Sequence, residues 1–312
     1  MPTVKHLHES FIIPDGGKST RLDHFLSLQL PNKSRNVIQK HIKDVLVLVN
    51  GKKSKSSYQL KPSDKIEWFE YFRKRVELEP YDFPLDIIYE EKDFIVVNKP
   101  AQMPMHPGLG HYDHTLQNAL LHHYQISNQK DSLVKDCLVQ RLDKDTSGIV
   151  VIPKTIEARE FLSEQFKSLK PYRIYQAIVW GQLKQKEGVI QEFIGRNPSN
   201  ERSIEVSKDK SFGKEAITHY RVIKEHKKFS LVECRLETGR THQIRVHMQF
   251  IGHPLVGDKR YEVPMLTYDN ALQNKVGRHL LHAKTLHFTS PSNKELLKFE
   301  NDLPEEMLDL IK

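Results

Sequence analysis

The spacing of apolar and polar positions divides the chain into an early group of short elements and a longer stretch richer in strands. Thr20 to Leu30 reads as a helix, with Thr20 as its cap, an apolar stripe of Leu22, Phe25 and Leu26, and Pro31 as its stop. Ser34 starts a second helix. It carries Val37, Ile38, His41 and Ile42 on one side and leaves Arg35, Lys40 and Lys43 to solvent. Val45 to Val49 is an apolar strand, Asn50-Gly51 a tight-turn signal, and Asp64 to Trp68 a later strand. Residues 69–84 mix aromatics, charges and prolines and read as a linker.

Past that linker the pattern changes. Residues 85–89 and 94–97 look like strands joined by the turn Glu91-Lys92-Asp93, and residues 103–108 form an irregular loop. Helices are expected over 115–124, capped by Thr115, and over 158–167, with Phe161, Leu162 and Phe166 at helical spacing. Residues 172–180, 216–222, 229–236 and 279–286 read as strands. Thr241 to Ile251 returns to helix, with Thr241 as cap and Gly252 as its stop. Strands outnumber helices without regular alternation. This predicts an α+β fold: a catalytic-sized domain with a mixed, largely antiparallel sheet and flanking helices around a central cleft, plus a small α/β module. The expected divisions are a strand or extension at 1–17, the module at 18–68, the linker at 69–84 and the large domain at 85–312.

Charge sharpens this picture. The chain of 312 residues carries a net charge of +8, with 48 basic and 40 acidic residues. Between Lys18 and Trp68 eleven Lys or Arg face four Asp or Glu, so one small segment holds nearly all of the excess. A block of this kind is the electrostatic footprint of a phosphate-binding surface. No apolar run approaches the ~20 residues of a membrane span, and the first residues resemble neither a secretory signal nor a transit peptide. Cys137 and Cys234 are isolated, which favours a reduced pair in a cytoplasmic protein over a disulfide or metal site. No Gly-rich phosphate loop, metal-ligand spacing or internal repeat occurs. His106, His111, His114, His122 and His123 lack carboxylates or cysteines at ligand spacing, and His242 and His247, five apart, read as structural.

The richest chemistry lies in Gln140-Arg141-Leu142-Asp143-Lys144-Asp145-Thr146-Ser147-Gly148, a polar loop just before the apolar run 149–152. If extended, it would place Arg141, Asp143 and Asp145 on one face. Three further segments stand out. In the strand at 173–180, Arg173 and Tyr175 share a face. The segment Gly239-Arg240-Thr241-His242-Gln243-Ile244-Arg245-Val246-His247 runs from a strand break into a helix. The last is Leu281-His282-Ala283.

Together with Gly252-His253-Pro254-Leu255-Val256-Gly257-Asp258, these motifs resemble the RluA-type family of pseudouridine synthases, over residue 85 to about residue 288. Two departures are visible: Gln140 stands where that family has His, and Thr289-Ser290-Pro291 replaces a His-Pro. The early module resembles the RNA-binding domain named after ribosomal protein S-four, through Arg21-Leu22-Asp23, Ser34-Arg35, the hairpin 47–52 and residues 63–66. Asp44-Val45 stands where that domain has a glycine. The resemblance implies isomerisation of uridine in RNA, which transfers no electrons and calls for neither cofactor nor metal. It implies Asp143 as the essential carboxylate, Arg245 as the cation that keeps it charged, and Tyr175 as the tyrosine stacked on the uracil. Arg141 would hold or replace the flipped nucleotide, Leu281 would form an apolar wall beneath the base, and Thr146 joins them in substrate binding. Lys33, Arg35, Lys40, Lys43, Lys52 and Lys53 would grip RNA phosphates. The expected partner is RNA, ribosomal large-subunit RNA first and transfer RNA second, bound by a monomer. A non-catalytic RNA-binding protein and a hydrolase of the same glycosidic bond are the competing classes.

Overall fold

The structure, a computed structural model, describes residues 3–16, 19–73, 78–108, 110–127, 134, 137–168, 171–197, 200–207, 213–263 and 269–312. The chain separates into two compact units, Met1–Glu77 and Leu78–Lys312. The first contains β1 (Thr3–Ile12), α1 (Leu22–Gln29), α2 (Arg35–Lys43), β2 (Val47–Val49), β3 (Lys52–Lys53) and β4 (Lys65–Arg73). Its sheet has the order β1-β4-β2-β3, so the N-terminal strand pairs with the last strand of the unit. β4 continues through Arg73, into the stretch read from sequence as a linker.

Leu22, Leu26, Ile38, Ile42, Val47, Ile66 and Trp68 fill the core of this unit. Asp23 is fully buried among them and organises both helices. It accepts from Arg21 Nε (3.0 Å) and Nη2 (3.1 Å), Arg35 Nη2 (3.2 Å) and Gln39 Nε2 (3.0 Å). These bonds, Arg21 first, hold the carboxyl well below the usual range against the opposing effect of burial. Ser34 caps α2 as expected, accepting from Val37 N. Thr20 does not cap α1. Arg21 occupies that position without a side-chain cap, its guanidinium drawn onto Asp23.

The sequence departure at Asp44-Val45 has a conformational consequence. Val45 takes φ = 60°, the left-handed region, and the strand begins only at Val47. A β-branched side chain is strained there, because Cβ crowds the backbone carbonyl. The following turn carries its positive φ values on Asn50 (51°) and Gly51 (72°), residues suited to a tight hairpin.

The second unit begins with β5 (Ile87–Glu90), β6 (Phe94–Lys99), α3 (Leu116–Ile126), β7 (Ser147–Pro153) and α4 (Ile156–Lys167). It continues with β8 (Tyr172–Trp180), β9 (Glu187–Asn197), β10 (Asn200–Ser207), β11 (Lys214–Glu225), β12 (Phe229–Leu236) and α5 (Gln243–Phe250). It ends with α6 (Asn270–Val276), β13 (Leu281–Thr289), β14 (Leu296–Glu300) and α7 (Glu305–Ile311). The sheet order is β10-β9-β11-β12-β8-β13-β7-β6-β5, with β14 added beside β13. This is the mixed, largely antiparallel α+β architecture expected. Among the described pairings, only β7 with β13 is parallel.

Alternating residues serve two cores. Val97, Val150, Ile152, Ala177 and Val179 pack with Leu116 and Leu120 of α3 and Ile244 and Met248 of α5. On the opposite face Phe94, Val96, Ile149 and Val151 pack with Leu162 of α4 and Phe288. Because β7 is covered on both faces, it reads as a continuous apolar run.

Val45→Gly removes the strained Cβ and should stabilise the first unit by about 1 kcal/mol, whereas Val45→Ala recovers less. Denaturant melts of residues 1–77 check this; a Gly variant no more stable than the parent contradicts it.

Candidate active site

The parallel pairing of β7 with β13 brings the starts of both strands to the same end of the sheet, with Ser147 opposite His282 and Gly148 opposite Ala283. Gly148 has φ = 117°, and a Cβ on it would lie 2.3 Å from the Ala283 carbonyl oxygen, so only glycine permits this register. The Asp143 loop therefore meets the segment 278–281. β8 runs antiparallel on the other side of β13, with Tyr175 opposite Ala283.

The loop is turned, because Thr146 N donates to Asp143 O at 3.1 Å. Two buried basic side chains hold its next carbonyls. Lys99 Nζ donates to Lys144 O (3.1 Å), and also to Pro100 O (2.7 Å) and Met103 O (2.8 Å). Arg278 Nη1 donates to Asp145 O at 3.0 Å. Burial, partly offset by Asp145, brings the Lys99 amine down to about 7. Thr146 Oγ1 lies 2.8 Å from His279 Nε2, and Ser147 Oγ lies 2.9 Å from His282 Nδ1.

Asp143 is aimed at Arg245 of α5. Arg245 Nη1 donates to Asp143 Oδ2 at 2.9 Å, while its Nε (2.7 Å) and Nη2 (3.0 Å) grip both oxygens of Asp258. Asp258 is held in turn by the backbone N–H groups of Arg260 (3.0 Å) and Tyr261 (3.3 Å). At the preceding Gly257 (φ = 81°) a Cβ would lie 1.8 Å from Arg278 O, so the close approach needs glycine. The guanidinium is thus locked by one carboxylate and offered to the other.

Burial pushes the Asp143 carboxyl up, but His242 and Arg245 outweigh it and hold the group below its ordinary value. His242 is itself pushed down to about 4 by burial, so at neutral pH the imidazole is uncharged and Arg245 is the standing cation. His242 Nδ1 is 2.6 Å from Tyr261 Oη and its Nε2 is 3.7 Å from Asp143 Oδ2. A proton on Nε2, with Tyr261 donating to Nδ1, avoids lone-pair repulsion with the carboxylate. His242 occupies the N-cap of α5 with φ = 56°, so the cap is not Thr241 as the sequence suggested. Sequence reading gave His242 a structural part and Asp258 no part; both lie at this site.

Arg141, Asp143, Thr146, Tyr175, Arg245 and Leu281, all six candidates drawn from sequence in this unit, line one small cavity of about 50 Å³. Two larger clefts, of about 490 and 630 Å³, also share Arg141, Asp143 and His242. Arg141 is exposed, Leu281 and Tyr175 are buried, and burial raises the Tyr175 hydroxyl above its ordinary value, so it stays protonated at neutral pH. The six basic candidates of the first unit divide by environment. Lys40, Lys43, Lys52 and Lys53 are exposed, and Arg35 is exposed but bonded to Asp23. Lys33 is half-buried against Glu70 at 2.8 Å. Among the described residues no group of three or more His, Cys, Asp or Glu could hold a metal, neither cysteine forms a disulfide, and no helix is long and apolar enough to cross a membrane.

The RNA pseudouridylate synthase family profile matches residues 93–250, the span that supplies Asp143, Tyr175 and Arg245. The chain belongs to this family. The S4 domain profile matches residues 20–66. Among its relatives, an uncharacterized RNA pseudouridine synthase of Bacillus subtilis is 39% identical, with 94% of each chain covered. The ribosomal large subunit pseudouridine synthase D of Escherichia coli is 37% identical, over 93% of this chain and 89% of that protein. The human RNA pseudouridylate synthase domain containing 1 superposes with a TM-score of 0.59 at 25% identity, covering 73% of this chain and 86% of that one. This pseudouridine synthase isomerises uridine in RNA, and it carries an RNA-binding S4 domain ahead of the synthase domain.

In the pseudouridine synthase, the depressed Asp143 value means that its pairing stabilises the fold fully above the unfolded carboxyl value of ~3.9 and fades as pH falls through the lower folded value. Arg245→Gln removes one of the groups that oppose burial, so the Asp143 carboxyl should titrate higher than in the parent and lose part of its contribution to stability at neutral pH. Carbon-detected NMR of the Asp143 carboxyl checks this; a midpoint no higher than the parent's contradicts it.

Proposed function

We propose that Asp143 is the carboxylate that acts on the ribose of a flipped uridine, and that large-subunit ribosomal RNA is the substrate. The observation that carries the first part is the Asp143–Arg245–Asp258 arrangement, a charged carboxylate kept in a lined cavity by a guanidinium that cannot turn away. The reaction breaks the bond from ribose C1′ to uracil N1, turns the ring and joins C1′ to C5; the C5 proton leaves and N1 is protonated. An anionic oxygen close to the sugar serves this either by attack at C1′ or by removing a ribose proton.

Tyr175, protonated and apolar-faced, packs against the uracil and offers a donor; it does not serve as a resting base. Leu281 closes the cavity below the ring, and Thr146 orients the loop above it. Extrusion of the nucleotide costs a few kcal/mol, and the exposed Arg141 at the mouth takes the place of the departed base or holds the flipped one. The exposed lysines of the S4 domain add sequence-tolerant affinity for RNA phosphates. Ribosomal RNA is favoured because the Escherichia coli and Blochmanniella floridana relatives carry the name ribosomal large subunit pseudouridine synthase D.

Asp143→Ala should bind RNA within about twofold of the parent, since Asp143 offers RNA no positive charge. The same variant should release no tritium from RNA labelled at uridine C5; retained release refutes the assignment. Free uracil among the products would point to hydrolysis instead. Replacing Lys40, Lys43, Lys52 and Lys53 with Gln should weaken binding and flatten its salt dependence by about 0.7–0.9 per lost phosphate contact. An unchanged slope means that these lysines do not face RNA. Mapping of pseudouridine in cells with and without the gene tests the substrate; a missing site confined to transfer RNA overturns the ribosomal assignment.

A further inference from the structure

The cleft of about 630 Å³ beside Asp143 holds groups that the proposed chemistry leaves unused. Lys167, Arg173 and Arg240 line it alongside Arg141, and among the described residues the one lining carboxylate is Asp143, already engaged by Arg245. Arg173 stands on β8 two residues before Tyr175 and lines the same cleft. Although only 8% exposed, it has no hydrogen-bond partner for its Nε among the described residues. Its Nη2 reaches Glu237 O only at 3.5 Å, and its guanidinium carbon lies 5.8 Å from the centre of the Phe166 ring. A Cβ at Gly239 would lie 2.8 Å from Arg173 Nη1, so the glycine leaves this guanidinium its place. Gln140 contributes a second orphan: its Nε2 is buried without a partner among the described residues, and it lines the same cleft. Buried donors left open are costly unless a ligand completes them, and two of them beside three further cations point to an anion with adjoining acceptors.

We propose that this cleft is a subsite for the nucleotide next to the target uridine. Arg173 takes its phosphate, supported by Arg240 and Lys167, and the Gln140 amide donates to an oxygen of the same nucleotide. The proposal rests on the reading that the uridine sits against Asp143 and Tyr175, because those two residues border the cleft and the adjacent nucleotide is the group tethered within reach. The Arg-rich lining gives the phosphate its planar, forked partner.

The test uses the full chain and a large-subunit ribosomal RNA fragment spanning a uridine that it modifies. Arg173→Met should raise KM about tenfold with kcat within twofold, and should reduce the salt slope of kcat/KM by about 0.7–0.9. Arg173→Lys should recover part of the KM, and Gln140→Leu should raise KM without changing the slope. A second arm keeps the parent enzyme and neutralises single phosphates beside the target as methylphosphonates. One such position should raise KM for the parent and add nothing for Arg173→Met. A parent-like KM for Arg173→Met, a fall in kcat alone, or additive effects at every neutralised phosphate overturns the subsite; should that variant fold poorly, a parent KM unmoved by neutralising each phosphate beside the target overturns it. Turnover by Asp143→Ala would overturn the reading beneath the proposal and is scored separately from these KM values.

Discussion

The guanidinium of Arg245 is the part on which the site depends. Two of its nitrogens are committed to Asp258, and the third is left for Asp143. A carboxylate taken out of water tends to take up a proton; one next to a locked cation stays ionised. Asp258 gives the cation its fixed direction, and its own position follows from two backbone N–H groups and a glycine that lets the chain pass beneath Arg278. The charge on Asp143 thus depends on residues outside its own loop.

The same logic governs the loop that carries Asp143. Its polar sequence offers many carbonyls and only one large apolar anchor, Leu142. Order comes from outside the loop, where Lys99 and Arg278 donate to consecutive carbonyls from opposite ends of the synthase unit's sequence. Each is buried, and each would be costly there without those oxygens. The resulting turn is tighter than an extended strand and still leaves Arg141, Asp143 and Asp145 bordering one cleft.

Much of this was legible in the chain. Alternation at 172–180 and 229–236 located β8 and β12 to the residue, and Thr115 marked the start of α3. The motifs at 141–148 and 239–247 supplied the pair Asp143 and Arg245 before their contact was visible. Other features had no local signal. β9, β10, β14, α6 and α7 are short, polar or edge-placed, so their apolar periodicity is faint. Arg21 displaced Thr20 as the cap of α1 because Asp23, three residues after the expected cap, draws the arginine inward. Lys99 follows an apolar strand and looks like an ordinary surface lysine; only the three carbonyls that surround it explain its burial. His242 was hidden by its left-handed backbone, which turns the ring toward Asp143 and away from a helical face.

The placement of β13 has a further consequence for biosynthesis. β13 lies between β7 and β8, yet it is made more than a hundred residues after both. Until it inserts, the neighbouring strands present open edges, and the Asp143 turn lacks Arg278, His279 and Leu281. Contacts of such long sequence separation form late. A nascent chain therefore reaches the ribosome's exit able to fold its S4 domain and to bind RNA well before it is competent to modify any.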